Sequence, residues 1–292
     1  MNCVSAAFAL LIFGLSGMAA AEPRAPRFHL LTPALHGRLA QRHRRLAANI
    51  EAVAHYRRAS GLVGGSAFLI SGPDENGIAL ALTNHHVALY DKSTVRGDRL
   101  LFHPAGAQRG IAAKIVECLA TDAALDYALL AVQLPKALRK LAPTRLSTSG
   151  DYRVQRVYNA SFPQIWSGER QRRKRGQPSR VALTGSNRAA FARGLRARKH
   201  IPKTIQTGRV NTELWIDPLI TLRIAVESGS SGSPVFAKRN DRAIAMLSAG
   251  GATDLAFAIP LALVLDDIAA QTKQLGDPKA VEMVQRLLDG LP

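Results

Sequence analysis

Two cysteines, Cys3 and Cys118, are all the thiol chemistry that this 292-residue sequence has. Cys3 lies in an apolar leader, so in a processed chain Cys118 would stand alone and no intramolecular disulfide could form. An exported protein ordinarily has disulfides open to it; this one must rest on its hydrophobic core. Cys118 ends an alternating apolar run from Ile111, which reads as a small, half-buried hydrophobe rather than a nucleophile. Acidic residues are scarce too: 21 against 39 lysines and arginines, for a formal charge of +18. That excess favours anionic surroundings and partners but says nothing about fold.

Charge is missing altogether from residues 1–21. Val4 to Ala21 is apolar, broken only by small residues, and ends in Ala19-Ala20-Ala21 before Glu22-Pro23. An apolar core followed by a small-residue cleavage site is the pattern of a secretory signal peptide. The stretch is also close to the ~20 residues that span a bilayer, so retention as an anchor is the alternative. The sequence therefore predicts an exported protein, periplasmic or secreted, whose processed form starts near Glu22.

With 47% hydrophobic residues, the remainder can build one large domain or two coupled halves of roughly 100 residues. Residues 22–34 are rich in proline and read as a linker. Leu35, Leu39, Leu46, Ile50 and Val53, with arginines between them, suggest a basic amphipathic helix to about Tyr56. Its C-terminal part could equally be the first strand of the domain. From Gly64 the texture changes to short apolar runs bounded by Gly, Asn, Asp and Pro. Strands are predicted at 66–70, 78–83, 99–102, 111–118 and 127–132, and a second set at 152–159, 180–184, 205–211, 219–226, 234–237, 243–248 and 255–259. Helices are predicted at 261–272 and 278–288. Many short strands at regular spacing predict an all-β sandwich or barrel fold. The expected organisation is a signal peptide over 1–21, a basic linker and helix over 22–60, a β domain over 61–265 and a helical extension over 266–292. Within the β domain the two sets fall at about 61–135 and 150–260.

Three strings carry chemistry. In Gly229-Ser230-Ser231-Gly232-Ser233-Pro234, glycines flank a serine on a tight turn. A serine nucleophile needs such a turn to expose its Oγ, with its own N–H and the N–H two residues earlier converging on one point. Gly229 and Ser231 would supply those two oxyanion-hole donors. Ser228, Ser230 and Ser233 are rivals, but only Ser231 has glycines at both −2 and +1. In Leu82-Thr83-Asn84-His85-His86-Val87, histidine closes a strand, where a general base needs to sit. A metal site is disfavoured there, because adjacent side chains on a strand face opposite ways and no clustered ligands complete a set. In Leu125-Asp126-Tyr127, a carboxylate heads an apolar strand, with Asp122 its local rival.

The order His, Asp, Ser resembles the trypsin-like serine peptidases, above all the bacterial Deg-type (high-temperature-requirement-A) proteases and the glutamyl endopeptidases. The matching pieces are GGSAFLI at 64–70, TNHHV at 83–87, LDYALLAV at 125–132, GSSGSPVF at 229–236 and FAIP at 257–260. The resemblance selects His86, Asp126 and Ser231 as the catalytic triad of an endopeptidase. It implies two perpendicular six-stranded antiparallel β-barrels of chymotrypsin type, with the site between them, flanked here by the basic N-terminal helix and the C-terminal helices. Protein or peptide substrates and no cofactor are implied. Animal digestive relatives are stapled by disulfides, so a bacterial branch is the better comparison. Ser230 stands where digestive trypsins carry an aspartate, which argues against their mode of activation. About 30 residues follow FAIP, too few for the PDZ domain usual in Deg-type proteases. The base of the specificity pocket maps to Ala225, with Ser248 and Gly250 on its wall. Nothing there offers a charge, so small or medium apolar residues are expected before the scissile bond.

Residues 164–203 hold twelve basic residues, from Arg170 to Lys203, against the single acid Glu169. They suggest a solvated insertion or a docking surface for an anionic protein or surface. The same segment supports the alternative to an enzyme: an inactive protease-fold module that binds such a partner. Only Trp166 and Phe191 are aromatic there, which leaves base stacking poorly supported and argues against nucleic acid.

Overall fold

The computed structural model describes residues 28–60, 63–89, 95, 97–104, 110–148, 152, 156–164, 169, 174–176, 181, 203–211, 214, 216–250 and 255–291. The leader and most of the basic segment lie outside the described residues. So does the strand predicted over 180–184, except Val181, which bridges to Phe28.

Six strands close the first barrel in the order β2-β3-β4-β7-β6-β5. They are β2 (Val53–Arg57), β3 (Val63–Leu69), β4 (Ile78–Thr83), β5 (Arg99–Phe102), β6 (Ile111–Asp122) and β7 (Tyr127–Gln133). The second barrel uses β8 (Val157–Ser161), β9 (Thr204–Val210), β10 (Ile220–Arg223), β11 (Pro234–Ala237), β12 (Ala243–Gly250) and β13 (Leu255–Pro260). The order β9-β10-β13-β12-β11-β8 is closed by the β8–β9 pairing, and a short β1 (His29–Leu30) is added alongside β9. All these pairings are antiparallel. The two six-stranded barrels implied by the sequence are thus present.

Strand periodicity explains how the barrels pack. On β4 and β7, Ala79, Ala81, Ala128, Leu130 and Val132 fill the first barrel, while Leu80, Leu82, Tyr127 and Leu129 face outward into a larger cluster. That cluster also takes Phe162, Phe236, Met246 and Ile259 from the second barrel. Both faces are buried, so these strands read as continuous apolar runs rather than alternating ones. The back of the joint is covered by helix α4 (Leu261–Thr272), whose Leu261, Val264, Leu265 and Ile268 join the same cluster. Helix α5 (Pro278–Asp289) packs on α4, capped by the Asp277 carboxylate accepting from the Lys279 N–H at 3.0 Å.

The N-terminal expectations need correction. The predicted basic helix is two, α1 (Pro33–Arg42) and α2 (Arg44–Glu51), parted at His43, whose φ of −141° is not helical. The ambiguous end of the run is β2, a strand of the first barrel, so the β domain begins before residue 61. Nor is 28–34 a free linker: Phe28, Leu30 and Leu31 are buried. β1 pairs with β9 because an edge left open by β10 remains beside Thr204 and Ile205.

Candidate active site

The two barrels present different parts of one cleft of about 520 Å³. After β4 the chain turns into a four-residue helix, α3 (His85–Ala88), which carries His86. Asp126 ends the four-residue turn between β6 and β7. Its φ of +51° is in the left-handed region, which aspartate tolerates better than most residues but at a cost. The turn is held from both sides: Asp122 accepts from the Leu125 N–H at 2.6 Å, and Asn84 donates to the Asp126 carbonyl at 2.9 Å. Asp122 is thereby a turn residue and not a partner of the histidine.

His86 Nδ1 lies 2.9 Å from both carboxylate oxygens of Asp126, and its backbone N–H donates to the same carboxylate at 3.1 Å. The carboxylate can only accept, so Nδ1 carries the proton and Nε2 is left as an acceptor. His85 is used differently. Thr121 gives its one hydroxyl proton to the Tyr127 carbonyl at 2.7 Å, so His85 Nδ1 donates to Thr121 Oγ1 at 2.8 Å.

Ser231 lines the same cleft from the loop between β10 and β11. Its hydroxyl donates to the Ser248 carbonyl at 2.8 Å and not to His86. Ser248 also donates its own hydroxyl to Asp126 at 2.5 Å. A chain of contacts therefore runs from Ser231 through Ser248 and Asp126 to His86. Sequence reasoning placed Ser248 only on a pocket wall and missed its contact with the carboxylate. The available signal was a hydroxyl inside the apolar run of β12.

The turn around Ser231 is built as a serine elbow requires. Gly229 and Gly232 have φ of +91° and +81°, where a side chain is strained, and a Cβ on Gly232 would strike the Ser66 carbonyl. Among the described residues, the N–H groups of Gly229 and Ser231 meet no acceptor. Their peptides are fixed from the opposite side: the Ser228 carbonyl accepts from the Gln164 N–H at 2.7 Å, and the Ser230 carbonyl accepts from the Ser233 hydroxyl at 2.6 Å. Because a trans peptide points its N–H away from its carbonyl, both amides are turned the other way. The first barrel holds this turn through Ser66, whose N–H donates to the Ser231 carbonyl at 2.7 Å and whose hydroxyl donates to the Gly229 carbonyl at 2.9 Å. The rival hydroxyls are placed otherwise. Ser230 and Ser233 are buried in the second barrel, and Ser228 is exposed on the rim.

The specificity wall differs from the sequence expectation. Ala225 is buried and does not line the cleft; Val226 and Glu227 do, with Ser248 and Gly250 opposite. A Cβ on Gly250 would overlap the Val226 side chain, so that valine occupies the space the missing side chain leaves. Glu227 brings a carboxylate to a pocket expected to have none. Within the basic segment, Lys203 is no docking residue. It is 4% exposed, donates to the Ile50 carbonyl at 2.8 Å and lies 5.4 Å from the centre of the Phe162 ring. Burial pushes its ammonium down to about 7 against a smaller opposing pull from Glu51. The other eleven basic residues belong to the segment that is largely outside the described residues.

A family model described as a trypsin-like peptidase domain matches residues 65–246. No curated protein matches the sequence. Among solved structures, the serine endoprotease of Yersinia pestis is similar, with a TM-score of 0.50 and 14% identity over 78% of this chain. The match spans 64% of that protein's length. A protease of M. tuberculosis in an inactive form matches at a TM-score of 0.47 and 17% identity, over 88% of this chain and 100% of its own. At these identities the likeness concerns the fold alone.

Proposed function

We propose that this chain, which belongs to the trypsin-like peptidase family, is a serine endopeptidase using His86, Asp126 and Ser231. The observation that carries the reading is the His86–Asp126 pair, set in one cleft with a serine on a glycine-flanked turn. In the reaction the Ser231 side chain rotates off the Ser248 carbonyl toward His86 Nε2. His86 takes the hydroxyl proton as Oγ attacks the substrate carbonyl. The oxyanion is received by the Gly229 and Ser231 amides, which have no competing acceptor among the described residues. His86 then protonates the leaving amine, and water reverses the steps on the acyl-enzyme. Asp126 holds the Nδ1–H tautomer and stabilises the imidazolium. Ser248 positions that carboxylate.

Small or medium residues are preferred before the scissile bond, because Val226 fills the space against Gly250, and the Glu227 carboxylate in the same cleft disfavours acidic ones. Export with cleavage of the apolar leader near Glu22 completes the proposal; a purified protein whose N-terminal mass retains Met1 or Asn2 would overturn the cleavage. For the chemistry, a fluorophosphonate probe should label the wild type at Ser231, and Ser231→Ala should lose both labelling and peptide cleavage while its circular dichroism is unchanged. Cleavage retained in the variant would overturn the assignment. A wild type that neither labels nor cleaves would favour a binding module on the same barrels.

A further inference from the structure

Helix α3, which carries His86, is a single turn, too short to satisfy its own carbonyls. They can be followed one by one. The Asn84 carbonyl accepts from the Val87 and Ala88 N–H groups at 3.2 and 3.1 Å, and that of His85 accepts from the Leu89 N–H at 2.8 Å. The next two, of His86 and Val87, meet no backbone N–H among the described residues. Both are taken by one side chain. The Arg58 guanidinium donates through Nη2 to the Val87 carbonyl at 2.6 Å and to the His86 carbonyl at 3.3 Å.

Arg58 directly follows β2 and is 7% exposed. A guanidinium lies that deep only when it is engaged. The chain on either side of it is fixed by Asp98, which is also buried: its carboxylate accepts from the Tyr56 hydroxyl and from the Ala59 N–H, each at 2.7 Å. Burial, then the hydrogen bond and charge of Asp98, push the Tyr56 hydroxyl above the ordinary tyrosine range, and the Arg58 charge opposes them. Asp98 and Arg58 thus lie close enough to act on one hydroxyl, and the acid offsets the buried cation.

The same hairpin, β2 with β3, also holds the nucleophile turn. Ser66 of β3 takes the Ser231 and Gly229 carbonyls, and a Cβ on Gly65 would strike both the Val87 side chain and the Ser231 carbonyl. One hairpin is therefore registered on both halves of the site. From the other side His86 is held by the Asp126 carboxylate, which accepts from its N–H and its Nδ1–H. A peptide held at that end alone could pivot about the carboxylate; the Arg58 bonds fix its other end.

We propose that Arg58 is a positioning residue for His86, fixing the distance from Nε2 to Ser231 by holding the carbonyls of His86 and Val87. The inference rests on the peptidase reading and adds to it a side chain that touches neither substrate nor reacting atoms. A displacement of about 1 Å in such a geometry costs about 10²-fold in rate, so the guanidinium matters although the chemistry never passes through it.

The test compares the full-length wild type with Arg58→Met, Arg58→Lys and, as a control, Arg57→Met at the exposed neighbouring position. In peptide cleavage Arg58→Met should lower kcat by about 10–100-fold. KM should move by less than about twofold, because no substrate contact is removed. Arg58→Lys keeps the charge but not the planar fork, and should recover part of the loss while remaining several-fold below the wild type. It carries the comparison where Arg58→Met does not fold. Arg57→Met should match the wild type. A readout independent of turnover is the downfield proton resonance of the His86 Nδ1–H held by Asp126. It should be sharp in the wild type and in Arg57→Met, and broadened or lost in the folded Arg58 variants. Wild-type kcat in the folded Arg58 variants, an equal loss in Arg57→Met, or an unchanged resonance would each overturn the proposal. So would a loss of turnover that only follows the unfolded fraction, since that would make Arg58 a packing residue. A wild type that shows the resonance but neither cleaves peptides nor labels with fluorophosphonate counts against the peptidase, and the resonance then decides the Arg58 inference by itself.

Discussion

The two barrels share a topology but not an interior. The first is filled by apolar side chains that range from Ala79, Ala81 and Ala128 to Leu130, Phe102 and Tyr56, whose hydroxyl donates to Asp98 at 2.7 Å. The second encloses a hydrogen-bonded network. Asn159 donates to the Ser233 hydroxyl at 2.7 Å, Gln206 to the Thr204 hydroxyl at 3.0 Å and to Ser161 at 3.3 Å, and Ser161 meets Ser230 at 3.4 Å. The dry barrel carries the His86–Asp126 pair at the ends of its strands. The polar barrel reaches, through Ser230 and Ser233, the turn that presents Ser231. An imidazole and a carboxylate need only rigid supports. The turn that presents Ser231 needs partners for its carbonyls and draws them from both sides: the Ser233 hydroxyl and the Gln164 N–H take those of Ser230 and Ser228, and Ser66 of the first barrel takes those of Gly229 and Ser231.

That contrast can be broken at graded cost. The largest effect should come from Asp126→Asn, which keeps the shape but loses the acceptor that fixes the Nδ1–H tautomer. By analogy with the same change in other triads, turnover should fall by about 10⁴; a loss below tenfold would detach Asp126 from the chemistry. In the interior of the dry barrel, Leu130→Ala at a fully buried site should cost about 2–5 kcal/mol in urea unfolding. Ser161→Ala in the polar barrel should cost only about 0.5–1.5 kcal/mol, but should lower turnover, because Ser161 touches the Ser230 side of the nucleophile turn. Equal stability losses, or unchanged turnover in Ser161→Ala, would show that the network is only packing.

Between those two in size stands Lys203, beneath the joint. Its folded-state pKa of about 7 is below the ordinary lysine value because burial disfavours the charge. The unfolded chain therefore binds the extra proton between pH 7 and about 10, and stability attributable to this site rises with pH across that window, by roughly 1 kcal/mol per unit. Below pH 7 both states are protonated and the penalty is complete. Urea midpoints at pH 7, 8 and 9 should climb more steeply in the wild type than in Lys203→Met. Parallel slopes would mean that the Ile50 carbonyl and the Phe162 ring stabilise the charge fully.

Much of this was legible beforehand because strand periodicity is local. The runs 78–83, 99–102 and 234–237 are strands to the residue, and 261–272 is a helix to the residue. What misled lay where local pattern is shared by two outcomes. The run from Leu35 to Tyr56 fits a helix face throughout, and only the pairing of Val53–Arg57 with β3 and β5 makes its end a strand. Phe28 to Leu31 reads as a linker because its burial depends on β9, far along the chain.

The sequence alone determined which side chains can do acyl-transfer chemistry and the order in which they come, since the glycines flanking Ser231 and the apolar strand behind Asp126 are local requirements. Only the tertiary structure decided which partner each group faces. Ser231 rests on the Ser248 carbonyl, Ser248 takes the free side of Asp126, Val226 fills the pocket against Gly250, and Lys203 lies inside rather than on the surface. Each of these is a contact between residues set by how two closed barrels are pressed together, and no periodicity along one strand encodes it.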